Sequence, residues 1–430
     1  MTEGAVLTPP AGTRTAYQRS LAVKFALLED CLATVGAPGR AAAHRIREQL
    51  APLDTLIAQE LVELGTPFFW LNVHRCHAIV ADEGQYLDRT CRHLLTTAFD
   101  AYFDKLPDGT RFTLPAVEEA ELLLPRLGVR LPAPAWPIEL TRLAPAALAV
   151  QGPGRPVVID LGAVDPALRV PRLPIAGRGT PRLLLARDPA LFEDQYLDKV
   201  AAHSPAGPAL AAMIGRSLDL IGRLDGPLGS RIAESVTWYV PISTPDVRMT
   251  HNSFTAPNLP GVMFLSEAYN DLRLAEAIVH EFGHFELNMV METVDLLREV
   301  PGELFYSPWR DDPRPLRGLF HALYVFARVA DFYARAARWS MSEPLGDQCR
   351  RRRQEICHQL RLGLAQVPGN RLAPPGRTII EAIGQEVDRH AADWAGSTGE
   401  LPAGVTARLQ AWCKAHPELA SSVRPVTVSR

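Results

Sequence analysis

The stretch "DLRLAEAIVHEFGHFELNMVMETVDLL", residues 271–297, decides how the rest of the chain is read. Apolar residues recur at spacings of three and four, which predicts a long helix. Ile278, Val279, Phe282, Phe285, Leu287, Met289 and Val290 make it apolar on nearly every face, and such a helix is buried. Asp271, at the head of the periodic pattern, is the expected N-cap. Yet His280, Glu281, His284 and Glu286 sit inside the run. Burying them is costly unless they are paired or bound to a metal. His280-Glu281-x-x-His284 matches HExxH, which places the two imidazoles one turn apart on one helix face, where they can hold an ion. Gly283 costs about 0.5–1 kcal/mol against alanine there, tolerable where a ligand or a backbone must come close.

A metal held this way needs a third ligand. The thermolysin-like choice is a downstream glutamate, and Glu299 or Glu303 would serve; a histidine six residues past His284 is excluded, because position 290 is Val. His321, in "RGLFHALYVF", lies in the next buried helical pattern, and helices joined by such a loop commonly pack as neighbours. Arg314, Arg317, His321 and Arg328 fall on one stripe of that helix. One reading is a metal ligand flanked by guanidiniums that can grip a carboxylate in a fork. The other is a solvated face opposite Leu316, Phe320, Leu323 and Ala327, and periodicity does not separate them.

The remaining sequence bounds the class of protein. Its 430 residues suit two domains, or one large domain with insertions, and 47% apolar with 22% charged residues is a globular balance. A net charge of −3 offers no bulk field for nucleic acid or an anionic membrane, and no run of about 18 apolar residues could span a bilayer. Six cysteines without a CxxC pair, and an N-terminus without a basic-then-apolar leader, point to the cytoplasm. Residues 1–125 read as an N-terminal helical region, with "VEEAELLLPRLGV" as a last short helix. Residues 126–430 read as a metal-binding catalytic domain, whose short strands between about 155 and 266 lead into the HExxH helix and a helical C-terminal part. The fold class is mainly α with a small β component.

"FLSEAYNDLRLAEAIVHEFGHFELNMV" followed by "FYSPWRDDPRPLRGLFHALYVFARVADFY" resembles a bacterial family of HExxH proteins found with ribosomally made peptide natural products. The likeness covers about residues 250–335, and the composite of HExxH, "SPWRDDPRP" and "GLFH" is far more specific than HExxH alone. The resemblance implies an Fe(II)- and 2-oxoglutarate-dependent hydroxylase acting on the β-carbon of a residue in a ribosomal precursor peptide. It implies His280, His284 and His321 as iron ligands, with Arg310, Arg314 and Arg317 as candidates for holding 2-oxoglutarate. Arg314 and Arg317 rank first, because they share the His321 stripe. It also implies a zincin-like metal-binding helix in place of the jelly-roll barrel usual for such oxygenases.

Two further features stand near the motif in sequence or pattern. Asn252 and Ser253, in "THNSF", could hydrogen-bond an extended peptide or the co-substrate, or simply belong to a loop. His390 shares a helix face with Trp394, and could line the site or form a satisfied core pair. The first rival function is a zinc-dependent metallopeptidase in which Glu281 is the general base. The second is a non-catalytic scaffold that binds a peptide or a partner enzyme.

Overall fold

A computed structural model describes residues 9, 12–33, 40–58, 67–81, 87–116, 121–132, 137–170, 172–174, 182–184, 208–242, 252–339, 343–392 and 402–423. It divides into two compact units. One holds residues 15–215 and 233–268; the other holds 1–14, 216–232 and 269–430. The expected boundary at 125/126 lies inside the first unit, and the second is discontinuous in sequence.

The first unit begins with helices α1 (Thr13–Ala33), α2 (Arg40–Ala58), α3 (Pro67–Ala81) and α4 (Leu87–Tyr102). Their buried residues follow the helical period: Leu21, Phe25, Leu28 and Leu32 in α1, then Ala43, Ile46, Leu50, Leu53 and Ile57 in α2. Each large side chain fully removed from water contributes about 1.5–3 kcal/mol. An antiparallel sheet follows in the order β1 (Arg111–Leu114), β4 (Ile138–Ala144), β5 (Ala147–Gln151), β6 (Val157–Asp160). A mixed sheet in the order β10 (Ser253–Phe254), β11 (Val262–Leu265), β9 (Trp238–Pro241), β8 (Arg182–Leu184), β7 (Arg172–Pro174) completes the unit. Its β9 is buried throughout and runs parallel to both neighbours, with Phe68, Leu71, Trp238, Val240 and Phe264 in one apolar cluster.

One expected helix is absent. Residues 121–132 instead form the hairpin β2 (Glu121–Leu124) and β3 (Val129–Pro132), paired Leu124 to Val129. Leu122-Leu123-Leu124 carries no period, Pro125 interrupts any helix, and Gly128 supplies the φ of +75° that closes the turn.

The second unit is helical. It contains most of α5 (Pro208–Leu224) and α6 (Gly226–Ser235), then α7 (Asp271–Thr293), α8 (Leu316–Trp339), α9 (Glu343–Gln366), α10 (Pro374–Ala392), α11 (Ala403–Ala415) and α12 (Pro417–Ala420). The molecule is thus mainly helical with a smaller β component, as expected. The cap of α7 is Asn270, whose side chain accepts from the Arg273 amide at 3.0 Å. Asp271, expected there, is one residue further in and pairs with Arg216 at 2.7 Å. Its carboxylate still suits the positive end of the helix dipole. Among the described residues, no helix is long and apolar enough to cross a membrane.

Candidate metal centre

The HExxH helix α7 is buried on almost all sides, as its composition demands. The exception matters. His280, His284 and Asn288, at steps of four, are only partly buried, so the two motif histidines lie on the accessible stripe. Glu281, one position on and about 100° around the helix, is 3% exposed.

Helix α8 packs against this stripe, and Gly283 permits the close crossing. A Cβ there would lie 3.0 Å from Val325 Cγ1 and 3.3 Å from Arg328 Cδ. The crossing carries His321 to His284: the two Nδ1 atoms are 3.1 Å apart. On its other side, His284 Nε2 lies 3.2 Å from His280 Nε2. Two nitrogens bound side by side to one ion, with bonds of about 2.1 Å, are about 3.0–3.4 Å apart, so each contact has the spacing of neighbouring ligands. His284 presents a different nitrogen to each neighbour, however, so the rings form a chain of contacts. Bringing all three onto one ion requires one imidazole to turn.

Burial pushes His284 down to about 3, helped by His280 and then by the charge of Arg310. Burial likewise lowers His321 to about 3, followed by His284 and Arg317. Both rings are therefore neutral at physiological pH, the form in which imidazole binds metals.

The arginines divide accordingly. Arg310 and Arg317, both exposed, are the guanidiniums whose charge reaches the histidines. Arg314 precedes the helix; its backbone pairs with Phe305, and its guanidinium meets Asp312 at 2.9 Å. The stripe inferred from sequence thus begins at Arg317. At its far end Arg328 is buried, so the stripe is not a solvated face. The two glutamates considered as third ligands are engaged elsewhere: Glu299 accepts from the Arg317 amide at 3.2 Å, and Glu303 pairs with Arg371 at 3.2 Å.

Aromatic rings border the histidines. Trp309 stacks on Phe326 with centroids 4.5 Å apart and planes 4° from parallel, while Phe326 meets His280 edge-on at 4.9 Å. Trp309 Nε1 donates to Gln359 Oε1 at 3.0 Å, which fixes the ring. Hydrogen bonds in both directions between Phe305 and Arg314 close the loop that carries Trp309 and Arg310.

Two buried ionic clusters brace α7. Glu286, 2% exposed, lies 2.7 Å from Arg328 Nη2 and 3.0 Å from Arg231 Nε, and Arg328 also donates to the Tyr324 hydroxyl at 2.8 Å. Glu276 accepts from Arg352 and from the Tyr333 hydroxyl, each at 2.8 Å, and from Arg273. The local signals are a glutamate in an apolar run and Arg273 three positions before Glu276, whereas partners 42 or 57 positions away leave no local pattern.

Asn252 and Ser253 belong to the first unit; Ser253 opens β10, and the Asn252 amide donates to Ser266 Oγ at 2.9 Å. His390 is buried on α10, 3.3 Å from Glu386 Oε1, while Trp394 falls outside the described residues. Searches for relatives give no match to any protein-family model and no significant match to a curated protein.

Proposed function

We propose that the chain is an Fe(II)- and 2-oxoglutarate-dependent dioxygenase that hydroxylates the β-carbon of a residue in a ribosomally made precursor peptide. One observation carries the metal part: three imidazoles, His280, His284 and His321, gathered at one helix crossing, with His284 and His321 held neutral by burial. They are the residues that would hold iron. Arg310 and Arg317 would grip the far carboxylate of 2-oxoglutarate, since their charges are the ones felt at the rings. Once bound, iron and 2-oxoglutarate supply the oxidising chemistry: dioxygen is divided between succinate, formed with loss of CO2, and the new hydroxyl group.

The protein's own task is placement. The stacked Trp309 and Phe326 offer an apolar wall beside His280 against which a substrate side chain can lie, excluding water from the reacting carbon. The helix-borne histidines agree with a zincin-like arrangement, and the six cysteines, all among the described residues, form no disulfide, in keeping with a cytoplasmic enzyme. The peptide substrate rests on the sequence resemblance alone.

The test is anaerobic. Fe(II)-loaded protein mixed with 2-oxoglutarate should develop a visible charge-transfer band, then release succinate on admission of oxygen, and His284→Ala should abolish both. Loss of the band in wild type, together with zinc-dependent peptide cleavage that Glu281→Gln eliminates, would transfer the assignment to a metallopeptidase.

A further inference from the structure

A second group of ligand-type side chains lies further along α8. Asp331 is ten residues beyond His321, about 15 Å along the helix axis. It meets Glu386 and His390 of α10, and one ligand atom from each of the three lies within 4.8 Å of the others. Glu386 and His390 are one turn apart on the same face, with Glu386 Oε1 3.3 Å from His390 Nε2. Their side chains are 3% and 5% exposed, and that of Asp331 is 14% exposed.

The surrounding charges bear on what this group can hold. Asp331 Oδ2 is paired with Arg335 at 3.0 Å, and the other Glu386 oxygen is paired with Arg389. Each carboxylate therefore has one oxygen satisfied by an arginine. The remaining two, Asp331 Oδ1 and Glu386 Oε1, are buried and accept no hydrogen bond. Two such oxygens beside one imidazole are costly in a protein interior unless a cation joins them. Asp225, 3.6 Å from Arg335, shares that guanidinium.

We propose that Asp331, Glu386 and His390 form a structural site for one divalent cation of the zinc or manganese type, distinct from the His280–His284–His321 centre. Two carboxylate oxygens and one imidazole nitrogen suit such ions. The ion would join α10 to α8, replacing a buried acceptor pair with metal–oxygen bonds. The competing arrangement is a protonated His390 held between the two carboxylates without metal.

Metal counting separates them independently of catalysis. The full-length chain carrying His280→Ala and His284→Ala is stripped with chelator, re-equilibrated with Zn2+ and dialysed, and its metal content is measured by mass spectrometry. Co2+ loading of the same protein gives a visible spectrum as a second readout. The site predicts about one equivalent of Zn2+ in this background and a Co2+ absorption band. It further predicts that Glu386→Gln, which keeps the side-chain volume, and Asp331→Asn each weaken binding at least tenfold with circular dichroism unchanged. Should the background bind no Zn2+ at tens of micromolar, or should its equivalent survive both substitutions, the site does not exist and the imidazolium arrangement takes its place. If a substituted chain fails to fold, the background's own metal content and Co2+ spectrum still decide the matter.

Discussion

Glu286→Ala is expected to be among the most damaging single changes in the second unit. Glu286 is 2% exposed, and the Arg328 side chain opposite it is 7% exposed. Removing the carboxylate takes the 2.7 Å ion-pair partner from that guanidinium deep in the α7–α8 crossing, where the Tyr324 hydroxyl and ring stay beside it. Breaking a buried pair from one side costs about 3–5 kcal/mol. The share belonging to Arg231 is smaller, because its side chain is 30% exposed, and Arg231→Ala should cost about 1 kcal/mol or less. Glu286→Met combined with Arg328→Leu removes both charges and should recover most of the loss, ending within about 1–2 kcal/mol of wild type. Urea unfolding of the metal-free chain, followed by circular dichroism, measures all three. A cost below about 1 kcal/mol for Glu286→Ala, or a double variant no better than the single, would refute the claim that this pair braces the helix.

Three other outcomes follow from the same geometry. Gly283→Val should destabilise the chain by about 1–3 kcal/mol and weaken metal binding by separating His284 from His321, whereas Gly283→Ala should do less because alanine regains helix propensity; calorimetry and metal titration read both. In the metal-free protein, His284 and His321 stay neutral down to about 3, while unfolded histidine titrates near roughly 6.5. The unfolded chain therefore takes up more protons, so stability is lost as pH falls from about 6.5 toward 3; urea midpoints across that range should fall more steeply for wild type than for His321→Asn. Arg310→Ala should weaken 2-oxoglutarate binding about tenfold or more, while Arg314→Ala, whose guanidinium is turned to Asp312, should leave it within about twofold by anaerobic titration.

Much of this site is written locally. A period of three to four with two histidines one turn apart identified α7, its burial and the shared face of His280 and His284, all features of a single helix. His321 is legible because the next strong helical pattern contains a histidine among apolar residues. What local pattern does not encode is which distant charge answers a buried one: Arg273 lies three positions before Glu276, but Arg231, Arg328 and Arg352 reach the two glutamates only through the packing of α6, α8 and α9. The hairpin at 121–132 is ambiguous in sequence for a related reason, since a run of leucines fits helix and strand equally and only Pro125 and Gly128 favour the turn. The N-cap lies one residue before the expected Asp271 because Asn270 and Asp271 are both good capping residues, and only the backbone selects between them.

The placement of His284 between two other rings has a consequence for protons. A neutral imidazole owns one proton and one lone pair, so a ring with neighbours at both nitrogens donates to one and accepts from the other. With its proton on Nδ1, His284 donates to His321 Nδ1 and accepts at Nε2 from His280. With its proton on Nε2, it donates to His280 and accepts from His321 at Nδ1. Three rings thus share a single choice of direction, and reversing it moves a proton on every one of them. Nitrogen chemical shifts of the metal-free chain would then show two concerted tautomer patterns instead of a mixture of independent ones.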